Sequence, residues 1–138
     1  MTQKHKILLI AVIVVEFFNG LSGIAGGIGL ILDPSAASLG MELEWLNSTP
    51  FTNYLIPGII LLLFNGCGNI FAGISALKKQ RYSAYIALFF GLVMMIWIIT
   101  QVGMIGYKSF LQPLYFFTGL LQTLLGRYFI RLGIHKDK

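Results

Sequence analysis

The residue of greatest chemical consequence in this chain is Glu16, which stands in the apolar run AVIVVEFFNG. A carboxyl in such surroundings must be paired with a cation, wetted or protonated. Asn19 lies three residues on, and Asn65 and Asn69 are four apart, so each pair shares one face of a helix. Gln122 and Arg127 complete the polar set inside apolar stretches, and the candidate site is Glu16, Asn19, Asn65, Asn69, Gln122 and Arg127. Two chemistries fit these types. The amides can hydrogen-bond between helices, each bond contributing on the order of 0.6 kcal/mol within a bilayer. Glu16 can either hold an exchangeable proton or form a structural pair with Arg127. Against the pair, Arg131 lies one turn further along the Arg127 face, which favours both long stems reaching out to headgroups.

Other chemistry lacks its residues. His5 and His135 stand among lysines near the two ends, with no carboxylate cluster to complete a metal site. Cys67, expected to be buried between Gly66 and Gly68, has no second thiol for a redox relay. No serine sits in a nucleophile elbow and no acid pair suits hydrolysis. The expectation is a protein without catalysis, metal or cofactor.

The elements that must position Glu16 follow from composition. Of 138 residues, 57% are hydrophobic and only 11% charged, whereas soluble domains run near a quarter charged. Four apolar stretches, about 7–32, 54–77, 84–106 and 113–134, hold 22 to 26 residues each, and a bilayer core of ~30 Å needs about 20 in a helix. Runs such as LLIAVIVV do not alternate as barrel strands do, so helices are expected. Lys4 and Lys6 before an apolar run resemble a signal peptide, but Glu16 interrupts the run and the pattern continues to Leu32, so the stretch is read as a retained span. The fold expected is an all-α membrane protein, a single antiparallel bundle of four transmembrane helices.

Of the ten Lys and Arg, all but Lys108 fall at one end of such a bundle, while Asp33, Glu42 and Glu44 fall in the loop opposite. That bias places both termini in the cytoplasm and explains the net charge of +5 without nucleic acid. Counting ~1.5 Å per residue from the cytoplasmic helix ends puts Glu16, Asn69 and Arg127 in one layer and Asn19, Asn65 and Gln122 in a second. Gly20, Gly23, Gly26, Gly27 and Gly29 in the first helix predict close packing or local unwinding, and Gly119, Gly126 and Gly133 a seam on the fourth. The turns 78–83 and 107–112 force neighbouring helices to be antiparallel. The outer loop, 33–53, is long enough to carry structure of its own. Asp33 capping a helix that begins at Pro34, with Leu39, Leu43 and Leu46 on one side, predicts a short amphipathic helix on the surface or over the bundle mouth. Asn47-Ser48-Thr49 matches a glycosylation sequon by chance in so interfacial a place.

The run DPSAASLGMELEWLNSTPFTNYLIPG resembles the first outer loop of small four-helix bacterial membrane proteins of unassigned function. That resemblance implies the same topology and a bacterial inner membrane, and no activity. VVEFFNG is also similar in placement to the first-helix glutamate of small multidrug exporters, although the 21-residue loop and the strong charge bias depart from them. Two functions are therefore expected to compete. The first is a structural or accessory protein that binds lipid, a membrane-protein partner or a second copy of itself. The second is a small proton-coupled transporter or channel using Glu16.

Overall fold

A computed structural model of the chain describes residues 3–47 and 49–132. Ser48, the fourth-stretch residues Gly133 and Ile134, and His135, Lys136, Asp137 and Lys138 lie outside them. Four long helices account for most of the described chain: α1 (Gln3–Leu32), α2 (Leu55–Leu77), α3 (Ser83–Ile105) and α4 (Leu111–Leu132). No strand occurs among the described residues. The helices follow the apolar stretches, with α1 reaching one turn further back. The first three are long and apolar enough to cross a membrane. In α4 the apolar side chains are diluted by Gln112, Gln122, Arg127 and Arg131.

The helices pair as two hairpins because small residues let backbones meet. Between α1 and α2, a methyl added at Gly23 would stand 2.6 Å from the Gly66 nitrogen, and one at Gly27 would stand 2.8 Å from the Gly58 carbonyl oxygen. Between α3 and α4, a methyl at Gly126 would stand 2.8 Å from the Leu88 nitrogen, and Gly91 packs against Thr123 and Gly119. The glycines of α1 thus serve close packing; the helix is continuous through them, and no unwinding occurs. The irregularity lies in α2, where Leu61–Cys67 is π-helical, a widening with no local sequence signature. Cys67 is exposed on the outside of the hairpin, which corrects the expectation that it is buried.

At one end, Val12, Ala84, Ala87, Leu125 and Phe129 form a buried cluster that joins the hairpins. Lys4, Lys6, Lys78, Lys79, Arg81, Arg127 and Arg131 are all exposed on this half of the molecule, hereafter the basic end. At the other end, Leu30, Ala36, Leu46 and Tyr54 bury one another beneath the long loop.

That loop does not contain the expected amphipathic α-helix. Ala36 and Gly40 adopt left-handed φ of 59° and 76°, which stops helix propagation, and only two 3₁₀ turns form, at Ala37–Leu39 and Leu43–Leu46. Pro34 sits in a turn and opens no helix. Asp33 holds that turn: one carboxylate oxygen accepts from the Ser35 hydroxyl at 2.6 Å and the other from the Ser38 N–H at 3.0 Å. These bonds hold its carboxyl below the usual carboxylate range. The Tyr54 hydroxyl donates to the Glu42 carbonyl at 2.8 Å and fastens the loop to the start of α2. The loop therefore folds over the mouth of the helices.

Candidate functional site

Gln122 is the centre of the polar interior. It is fully buried, and its position on α4 aims its amide at the other three helices. Asn19 Nδ2 of α1 donates to Gln122 Oε1 at 2.9 Å. Gln122 Nε2 donates to Asn69 Oδ1 of α2 at 2.9 Å and to the Ala87 carbonyl of α3 at 3.0 Å. Asn69 Nδ2 donates in turn to the Asn65 carbonyl at 2.9 Å, and the Thr118 hydroxyl donates to Asn19 Oδ1 at 2.7 Å. One glutamine thus bonds to three helices besides its own. A buried amide left unbonded costs ~1–3 kcal/mol, so this layer fixes the register between hairpins as well as adding stability.

Of the six residues singled out from the sequence, three join this layer: Asn19, Asn69 and Gln122. Asn65 enters it only through its carbonyl; both side-chain amide atoms are buried without a hydrogen-bond partner, within the π-helical turns of α2. Arg127 is exposed and points away from the interior, so the Glu16–Arg127 pair does not form. Glu16 is 0% exposed, and neither carboxylate oxygen has a hydrogen-bond partner. The expected layers are corrected accordingly. Counting from helix ends set Ile7 level with Leu77, whereas the contacts of Gly20 with Ile70 and of Gly23 with Gly66 set Leu77 near Val12. That offset lifts Asn69 into the Asn19 layer and leaves Glu16 alone, nearer the basic end.

Toward the loop the hairpins part and leave a cavity of about 490 Å³. Ser22 and Gly23 of α1, Leu61 of α2, Trp97 and Gln101 of α3 and Tyr115 of α4 line it, and Gly40, Met41 and Trp45 of the loop stand over it. Gln112 holds the α3–α4 corner: its Oε1 accepts from the Lys108 N–H at 2.7 Å, while its Nε2 donates to the Gly106 carbonyl at 3.2 Å and to Gln101 Oε1 at 3.4 Å. The Lys108 ammonium lies 5.4 Å from the centre of the Trp45 ring, a cation–π contact at the cavity rim.

Sequence reasoning missed Trp97, Gln101, Gln112 and Thr118. The signal open to it was spacing: Trp97, Gln101 and Ile105 recur every four residues and share a face of α3. Among the described residues no group of three or more His, Cys, Asp or Glu could hold a metal. No family model, curated protein or solved structure matches this chain.

Proposed function

We propose that this chain is a multi-pass protein of the bacterial inner membrane, with four spans and both ends cytoplasmic, that binds a lipid or other apolar partner without catalysing a reaction. Support for the membrane comes from exposure: only 17% of the most apolar stretch of α3 is buried, and α1 presents Ile10, Val14 and Leu21 on its outer face. Hydrocarbon is the solvent such a surface needs. The exposed basic end and the acidic loop support the orientation.

The observation that carries the binding reading is the cavity itself. Its volume of about 490 Å³ falls within the range of small-molecule sites. All four helices and the loop wall it, and aliphatic and aromatic side chains outnumber the two amides, Gln101 and Gln112. The basic end is packed by its amide layer, so the ligand belongs to the outer half. Native mass spectrometry of the purified protein is expected to show retained lipid-sized adducts that Ser22→Trp, which fills the cavity, removes. Identical adducts in both proteins would refute the reading.

Glu16 favours a second reading, proton-coupled transport, because its fully buried carboxyl has no hydrogen-bond partner. On that reading Glu16→Gln folds normally and loses the pH-dependent proton release that accompanies ligand addition. A wild-type protein that releases no protons on ligand addition would reject transport and leave binding intact.

A further inference from the structure

Beside the cavity between the hairpins lies a second, of about 260 Å³, running under the loop along α2 and α3. The two share Met41, Trp97, Gln101 and Ile105 as walls. The two therefore adjoin along Trp97 and Gln101. Their linings differ. Leu46, Phe51, Pro57, Ile60 and Met104 make the smaller arm mostly apolar, whereas Ser22, Gln101, Lys108, Ser109 and Tyr115 bring hydroxyl, amide and ammonium groups to the larger.

The polar chamber is asymmetric in its hydrogen-bonding capacity. Gln101 Oε1 already accepts from Gln112, so its Nε2 is the end left to donate, and no acceptor for it occurs among the described residues. Lys108, held over Trp45, is the cation of the loop end. Glu42 and Glu44 are exposed on the loop, and neither lines either cavity. A donor amide and an ammonium with no lining carboxylate match an anionic, acceptor-rich group. An arm about half the size of the chamber, whose walls are mostly apolar with Thr49, Thr100 and Gln101 among them, matches a single hydrocarbon chain.

From this we infer that the two cavities are one site for a single-chain amphiphile with an anionic head, a fatty acid or a lysophospholipid, whose head meets Lys108 and Gln101 and whose chain fills the arm. The inference rests on the binding reading above and narrows it to a ligand class.

The chain's two tryptophans, Trp45 and Trp97, both line the larger chamber and serve as built-in reporters. The test uses the full chain in zwitterionic nanodiscs, titrated with dibromostearate, whose bromines quench nearby indoles. Saturable quenching is expected, reversed by unbrominated stearate and by lysophosphatidylglycerol. Lys108→Gln is expected to weaken binding about threefold with an unchanged thermal midpoint, in line with a partly exposed charge pair, and Gln101→Leu by about as much. Equal affinity for dibromostearyl alcohol would overturn the anionic head while leaving the binding reading in place. Equal displacement by diacyl phosphatidylglycerol would overturn the single chain. Quenching that never saturates with either probe would remove the inference and the binding reading together.

Discussion

The two halves of this bundle use similar residue types for opposite ends. In the half toward the basic end, Asn19, Asn69 and Gln122 satisfy one another in a layer with 0% exposure. In the half toward the loop, Gln101 and Gln112 also bond to each other, yet Gln101 faces a cavity of about 490 Å³ and keeps a donor to spare. What separates them is packing around the amide. Gly20 and Gly126 bring helices together at one level, whereas Trp97 and Tyr115 line an open space at the other. A polar residue in an apolar helix thus becomes a strut or a binding group according to the small residues beside it.

Removing the strut should have the largest effect. Gln122→Leu strands Asn19 Nδ2 and Asn69 Oδ1, while the Ala87 carbonyl keeps its bond within the helix, and is expected to lower stability by about 2 kcal/mol at ~1 kcal/mol for each stranded group. Gln101→Leu removes one of the two acceptors of Gln112 Nε2, which keeps the Gly106 carbonyl, and should cost under ~1 kcal/mol by the same rule. Reversible unfolding in mixed micelles compares the two, and equal losses would erase the distinction between the halves.

Two glycines of α1 sharpen the comparison at lower cost. Gly23→Ala places a methyl 2.6 Å from the Gly66 nitrogen, where only backbone can yield, and is expected to cost ~1–3 kcal/mol by overpacking. Gly26→Ala meets only the tip of Leu61 at 3.2 Å. It should be neutral or stabilise by up to ~1 kcal/mol through helix propensity.

The smallest effect concerns the roof. Because its native hydrogen bonds depress the Asp33 carboxyl, they contribute loop stability that is complete above the ordinary carboxylate range and is lost as pH falls through the lowered value. Trp45 fluorescence, read in a Trp97→Phe background, should therefore shift in acid. Asp33→Asn should flatten that response while leaving the helices intact. A response unchanged by Asp33→Asn would show that the turn is held by something else.

These contrasts also mark what could be read in advance. Helix number, helix limits and the burial of Glu16, Asn19, Asn65, Asn69 and Gln122 were legible, because hydrophobic runs and shared helix faces depend only on local periodicity. The partner of each residue was not. Partnership depends on how far one helix slides past its neighbour, and Gly23 meeting Gly66 sets that slide by contact between distant segments. The π-helical turns and the left-handed Ala36 were hidden for a related reason: neither carries a residue that demands it. Gln101 stayed unnoticed because a glutamine near a helix end passes for an interfacial residue until the opposite wall is in place.

The central claim is that the half toward the loop is accessible and the half toward the basic end sealed, and paired cysteine labelling tests it most directly. In a Cys67→Ser background, Ser22→Cys and Val12→Cys lie on the same helix, about 15 Å apart at 1.5 Å per residue. Ser22 lines the cavity and Val12 is 3% exposed in the cluster at the basic end. A small water-soluble thiol reagent should label Ser22→Cys, more slowly once stearate is bound, and should leave Val12→Cys unmodified until the protein is denatured. Labelling of both positions at similar rates in the folded protein would contradict the account.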